Sequence, residues 1–311
     1  MSSPSNSLVV RRDHCPVCSS TDLASIYQRS YGDPRMRDYM GMAYQGNVEY
    51  EYVNGAEFEI AECRACGMLF QPNVLNELGA KRLYDVWIDA DLAKQWYQQE
   101  RPQEAYYLGI LRFARHYLQR PDVRMLDYGA GFGDFCRLGR QVGFDVCALE
   151  FSAERAAMLK KQDIQPILSG DEGTEQYHFI SLNQVLEHLT DPLETLRRVR
   201  CALRDDGLVY VAVPNCRGLK HRLKSADSLS IPQFQQALLN CSAFQHINSF
   251  TTGSLKRVCE GAGFTLVFRP FQFIACSKNG TSPMGLAKSV VMPFYYRFFG
   301  TAFFLRKNLQ R

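Results

Sequence analysis

The chain has 311 residues, 46% of them hydrophobic, and a formal net charge of +4. That is enough to bury one sizeable α/β core and a smaller appendage. The charge is too mild to call for a nucleic-acid partner.

Residues 1–7 are polar and hold no apolar core, so no secretory signal is expected and the cytoplasm is the expected location. Eleven cysteines include two C-x-x-C pairs, Cys15-Pro-Val-Cys18 and Cys63-Arg-Ala-Cys66, the second followed by Gly67. Disulfides are disfavoured in a reducing compartment, and four thiolates on two knuckle turns suit a closed tetrahedral zinc site. A closed shell leaves no position for water, which makes the expected zinc structural. Cys136, Cys147, Cys201, Cys216, Cys241, Cys259 and Cys276 show no pairing by spacing and are expected to be small buried hydrophobes. Between the two pairs, residues 27–52 are rich in Tyr, Met and Gly and read as a lid over a substrate. A domain boundary is expected near residue 100.

Past that boundary, the mostly apolar run Val123 to Leu126 reads as a buried parallel strand. A glycine loop follows it at once, in Met125-Leu-Asp-Tyr-Gly-Ala-Gly-Phe-Gly133. Gly129, Gly131 and Gly133 let the backbone turn sharply and approach a ligand without a Cβ clash. Residues 134–142 read as a helix whose N-terminal amides face the loop, and a second strand, 144–149, ends on Glu150, placed to accept from ribose hydroxyls. A dinucleotide fingerprint would place a third glycine where this chain has Asp134, whose carboxylate would repel a pyrophosphate. A cofactor that carries a sulfonium cation and no phosphate fits better.

Residues 126–133 resemble the first motif of class I S-adenosylmethionine-dependent methyltransferases, and further matches continue in order. Phe179-Ile-Ser-Leu-Asn-Gln-Val-Leu-Glu-His-Leu-Thr-Asp-Pro192 resembles their fourth strand and turn, and residues 208–215 their fifth strand. Residues 246–255 and 259–264 resemble the approach to the last helix and the closing strands, so the likeness spans about 105–277. It implies a doubly wound, Rossmann-like seven-stranded methyltransferase sheet with the zinc ribbon as an N-terminal appendage. The domains become 1–100, zinc ribbon with a helical or lid region; 101–278, the S-adenosylmethionine-binding methyltransferase domain; and 279–311, a basic aromatic tail. By the resemblance Asp127, Gly129, Ala130, Gly131, Gly133, Glu150, Phe151 and Asn183 would bind S-adenosylmethionine. Relatives place an acid before the fourth strand where this chain has Tyr177-His178, so the adenine contact is sought at residues 169–171 instead. The second knuckle, with the helix near Leu83-Tyr84, resembles the zinc ribbon of bacterial small-molecule and sugar methyltransferases. The longer deoxysugar C-methyltransferases also carry a large C-terminal domain for which no room is expected here, so the resemblance to them is partial.

His188, following the fourth strand, is the leading candidate for the base that deprotonates the acceptor, with Glu187 orienting it and His246 as a second base. Ubiquinone-pathway O-methyltransferases resemble this stretch with Glu-x-x-Glu-His; here the first acid is Gln184, which leaves a poor site for a hard cation, and no catalytic metal is expected. Arg217, Lys220, His221, Arg222 and Lys224 read either as a grip on an acidic or phosphorylated substrate or as a solvated helix face. In the tail, aromatics such as Phe294, Phe298, Phe303 and Phe304 mix with Arg297, Arg306 and Lys307. That composition fits packing on its own domain, on a second subunit as a homodimer, or at a membrane surface as peripheral contact. The favoured activity is methyl transfer to a small molecule, such as a sugar, lipid-linked or natural-product intermediate. Its rivals are a zinc-ribbon RNA methyltransferase and a non-catalytic binding protein with the same fold.

Overall fold

A computed structural model of the chain describes residues 7–89, 104–167, 170–270 and 300–309. The chain forms two compact units, and neither is continuous in sequence. The first comprises Met1–Gln99, Glu187–Asp191 and Pro214–Ser254; the second comprises Glu100–Leu186, Pro192–Val213 and Leu255–Arg311. Residues 187–191 and 214–254 thus cluster with the N-terminal residues, whereas the expected linear division at 100 and 278 kept them in the cofactor domain.

The second unit is built on a seven-stranded sheet. Its strands are β1 (Arg124–Tyr128), β2 (Asp145–Leu149), β3 (Gln165–Ile167), β4 (Tyr177–Asn183), β5 (Leu203–Ala212), β6 (Phe264–Val267) and β7 (Ala302–Lys307). They lie in the order β6-β7-β5-β4-β1-β2-β3, and β7 runs antiparallel to both of its neighbours. The chain winds from β1 outward through β2 to β3, then returns to place β4 on the other side of β1. Open α/β sheets bind ligands at such a reversal, beyond the carboxyl ends of the strands. Strands β1 and β4 are near-continuously buried, the pattern of a sheet covered on both faces. The helix Asp134–Gln141 comes close to β1, because a Cβ at Gly139 would meet the Met125 sulfur at 2.9 Å. Close helix–strand packing is therefore served by Gly139, five residues beyond Asp134.

Strand β7 revises the reading of residues 279–311 as a single tail. Its register pairs Phe304 with Tyr210 of β5 and with Val267 of β6. The Phe304 ring packs edge-on against Phe113 at 4.6 Å and lies 5.0 Å from Tyr210. Lys307 is buried and donates to Asp205 at 2.9 Å. Phe303, Phe304 and Lys307 are thus spent on closing the sheet, since a short continuous apolar run is equally what an inserted strand needs. Phe294, Arg297 and Phe298 lie outside the described residues. Among the described residues no helix is long and apolar enough to cross a membrane.

The first unit holds a four-stranded antiparallel sheet, in the order Asn248–Ser249, Leu69–Phe70, Glu57–Cys63, Leu23–Ser30. A separate pair joins Val9–Arg11 to Asn73–Leu75. The helix Pro34–Ala43 starts at Asp33, whose side chain accepts from the Arg35 amide at 2.9 Å, and carries proline in its first turn. It buries Met36, Tyr39 and Met40, and Tyr31 and Tyr44 are buried with them. The Tyr31 ring stacks on Phe244 at 4.6 Å, and Tyr39 packs edge-on against Phe234 at 5.5 Å. Tyr31, Met36, Tyr39, Met40 and Tyr44, within the segment read as a lid, are therefore core residues of the first unit. Tyrosine allows this because its hydroxyl finds a partner when the ring is buried; Tyr44 donates to the Ala243 carbonyl and Tyr39 accepts from the Ala243 amide.

Candidate functional site

The glycine loop leaves β1 and folds back under β2, because the amides of Gly129 and Ala130 both donate to the Leu149 carbonyl, at 2.8 and 3.0 Å. Gly129, Gly131 and Gly133 all adopt positive φ, at 76°, 58° and 84°. Two of them are also closely packed. A Cβ at Gly129 would meet Val185 at 2.8 Å, and one at Gly133 would meet Leu159 at 2.6 Å. Around Gly131 there is nothing within 4 Å of that position, so its backbone is open to a ligand.

Glu150 is buried at the end of β2 and takes two backbone amides, Gly131 at 2.7 Å and Ser152 at 2.9 Å. A carboxylate offers about four acceptor positions, so two are left for ribose hydroxyls. Its neighbour Phe151 is 54% exposed, leaning on Tyr128 with ring centroids 6.0 Å apart, and offers an aromatic face. Asp127 is buried and accepts from the Cys136 thiol at 3.4 Å. Burial, with Glu150's charge adding to it, pushes Asp127 up to about 7, and a bound cation would favour its ionised form. Asn183, at the end of β4, donates to the hydroxyl of Tyr107, on the helix Glu104–Leu118, at 3.3 Å. Asp134 opens the next helix with the Arg137 guanidinium 3.7 Å away, which softens the repulsion expected of it. These residues fit the amino-acid and ribose parts of S-adenosylmethionine. Of residues 169–171, Ser169 lies outside the described residues, and Asp171 is exposed.

A different set of groups converges in the first unit. One ring nitrogen of His188, one of His246 and a carboxylate oxygen of Glu187 lie within 4.8 Å of one another. The two imidazoles meet edge to face, with centroids 4.9 Å apart. Glu187 is 1% exposed, and among the described residues neither of its oxygens meets a side-chain hydrogen-bond partner. The nearest cationic candidate is His188 Nε2, 3.8 Å from Oε1. Burial pushes the Glu187 carboxyl up to about 8, so it is protonated at neutral pH. Burial also pushes His246 down to about 4, partly opposed by its hydrogen bond to the Leu239 backbone. The three residues singled out from the sequence as acid–base candidates are thus brought together, although His246 is far from the other two in the chain.

The four cysteines of the C-x-x-C pairs also converge, their sulfurs within 4.8 Å of one another. Cys15 and Cys66 sulfurs are 3.5 Å apart, as are those of Cys18 and Cys63. Bonded sulfurs would lie about 2.0 Å apart. Tetrahedral zinc, with bonds of about 2.3 Å, spaces its sulfurs about 3.8 Å apart. The Val17 amide donates to the Cys15 sulfur at 3.4 Å, and Gly67, at φ 73°, closes the second knuckle by donating to the Cys63 carbonyl at 2.7 Å. Of the remaining cysteines, Cys136, Cys147, Cys216, Cys241 and Cys259 are buried as expected. Cys201 is exposed, because it falls on the outer face of the helix Pro192–Ala202; Cys276 lies outside the described residues.

The basic cluster divides. Lys220 is paired with Glu62, while Arg222 bonds the carbonyls of Ala237 and Arg217. His221 and Arg222 line a cavity of about 500 Å³ in the first unit, together with Ser225, Gln233, Gln236 and Asn240. No carboxylate is among its lining residues.

Residues 97–268 match the family described as "Methyltransferase domain", more than half of the chain. The chain belongs to that family. Its chemistry is methyl transfer from S-adenosylmethionine, and the family match takes in the glycine loop, Glu150 and Asn183. No curated sequence matches the chain. Among solved structures it is similar to the plantazolicin methyltransferase BpumL in complex with SAH, at 15% identity over 74% of this chain and 93% of that one, with a TM-score of 0.49. It is also similar to an S-adenosylmethionine-dependent methyltransferase from Mesorhizobium loti, at 16% identity over 62% and 96% of the two chains, with a TM-score of 0.44. A third is the [4+2]-cyclase SpnF, at 13% identity over 64% and 79%, with a TM-score of 0.41. These are likenesses of fold alone.

Proposed function

We propose that this methyltransferase acts on a small molecule, with His188 as the base that takes the acceptor's proton and Glu187 and His246 as its partners. The observation that carries the reading is the buried Glu187 carboxyl, in company with two imidazoles and with no side-chain hydrogen-bond partner among the described residues. Perturbed acids in such clusters are where proton transfer is found. Chain continuity ties the cluster to β4: four residues after Asn183 the chain reaches Glu187. Asp127, the loop backbone from Gly129 to Gly133, Glu150, Phe151 and Asn183 would hold S-adenosylmethionine, which supplies an electrophilic methyl on a sulfonium. As the acceptor atom takes that methyl it loses a proton to His188. The resulting imidazolium is stabilised once Glu187 is ionised.

The small-acceptor reading is supported by the cavity of about 500 Å³ and its carboxylate-free lining, which suits an acidic or phosphorylated compound. Against an RNA substrate, Arg11, Arg29, Arg82 and Lys220 of the first unit each pair with a carboxylate. Cys15, Cys18, Cys63 and Cys66 would bind structural zinc, on the strength of their sulfur spacing.

The test is transfer of labelled methyl from S-adenosylmethionine into a fractionated extract of the source cell, by wild type and by His188→Ala. Label in small molecules, lost in the variant with S-adenosylhomocysteine affinity kept, supports the reading. Label in RNA or protein overturns the acceptor class, and equal loss of binding and turnover makes His188 structural.

A further inference from the structure

His188 and His246 come from separate segments of the first unit, and a buried guanidinium bonds to both of those segments. Arg12 is 8% exposed. One of its terminal nitrogens donates to the Thr190 carbonyl at 2.9 Å and to Asn248 Oδ1 at 3.1 Å. The other donates to the Gln71 carbonyl at 2.6 Å and to the Ile247 carbonyl at 3.1 Å. The guanidinium also stands over the Phe70 ring, 5.1 Å from its centroid. Asn248 completes the clamp by donating to the Leu189 carbonyl at 2.6 Å.

These acceptors follow a pattern. Leu189 and Thr190 are the two residues after His188, and Ile247 and Asn248 are the two after His246. Arg12 and Asn248 therefore fix the backbone just beyond each imidazole, which sets the approach of the two rings at 4.9 Å. Arg12 stands three residues before Cys15, the first of the four clustered cysteines. A buried charge served mainly by carbonyl oxygens is costly, and stability alone would be met by an apolar residue of similar volume. Four forked donors in one plane are what a geometric clamp requires, and lysine lacks that plane.

We infer that Arg12 is a positioning residue for the His188–His246 pair, mounted on the cysteine cluster. The clamp rests on the proposed acid–base role of His188 only for its catalytic consequence; the ring placement itself is read without an acceptor. The experiment is ring NMR of histidine-labelled full chain, with His188 and His246 assigned by single His→Asn variants among the six histidines. In Arg12→Met, the His188 and His246 signals should move and lose their mutual contact. His14, His116, His178 and His221 should keep their positions, and S-adenosylhomocysteine affinity and metal content should stay at the wild-type level. Methyl transfer should fall about a hundredfold, the scale of a misplacement of about 1 Å. Arg12→Lys should behave like Arg12→Met. Should either fail to fold, Asn248→Ala removes the Leu189 link and one acceptor of Arg12 while leaving the guanidinium its Thr190, Gln71 and Ile247 carbonyls, and should move His188 more than His246. Unmoved His188 and His246 signals in the folded variants overturn the inference. Moved signals with unchanged methyl transfer uphold the clamp and overturn the role of His188 as base.

Discussion

The glycine loop and the histidine cluster are both read as parts of one reaction, yet they are made in opposite ways. The loop is local: residues 127–133 and 150 are joined by one helix and one strand, and its contacts are glycine conformations and backbone amides. The cluster is non-local: Glu187 and His188 meet His246 only through the packing of the first unit, with Arg12 and Asn248 as the clamp. A local site should fail one residue at a time. A site assembled by tertiary structure should fail as a whole when its frame is loosened.

The largest effect should come from that frame. Cys15→Ser, or chelation of metal from the wild type, should unfold the first unit, because binding free energy of about 10 kcal/mol or more at a structural zinc is folding free energy. Circular dichroism and metal content report it, and a chelator without effect would remove zinc from the account. Cofactor affinity carried by the second unit is the informative companion measurement.

Next in size is His188→Ala. Losing a general base should cost about a hundredfold to ten-thousandfold in turnover while S-adenosylhomocysteine affinity stays within about twofold. Phe304→Ala should lower stability by about 3–5 kcal/mol, the range for a large buried ring, measured by urea unfolding. A loss of a few tenths would contradict the place of β7 in the core.

Gly129→Ala tests the local site. Its positive φ and the Val185 contact at 2.8 Å should together cost about 1–3 kcal/mol, read as weaker S-adenosylhomocysteine binding with the histidine signals unmoved. The smallest effect is that of Glu187→Gln on pH dependence. Burial raises Glu187 above its ordinary 4.5 to about 8, so its contribution to stability is fully present below 4.5 and lost as pH rises through 8. Asp127, raised to about 7, acts in the same direction. The wild type should lose thermal stability between pH 6 and about 8 by a few degrees more than Glu187→Gln. Turnover should rise through about pH 8 in the wild type alone, since only ionised Glu187 can hold the imidazolium. His246, lowered to about 4, stays neutral throughout that range, and its effect on stability appears only below its ordinary 6.5.

Much of this protein was legible in its sequence, and the legible parts share a cause. The strand, glycine loop and following helix at 124–141 are written in adjacent residues, as are the two cysteine knuckles and the proline-started helix at 192. Periodicity, positive-φ glycines and turn chemistry act over a few residues, so one chain shows them directly. The closing strand Ala302–Lys307 read as a tail because a short apolar run does not say which sheet it will join. Tyr39 and Tyr44 read as part of a lid, because burial of a tyrosine depends on a partner for its hydroxyl, here Ala243, that lies about 200 residues away. Arg12 carried no signal at all as the second of two adjacent arginines before a cysteine pair. Sequence alone determined the family, the cofactor loop and the candidate groups. Tertiary structure decided which of them meet, since contacts between distant segments are set by how the core closes and not by any local preference of the chain.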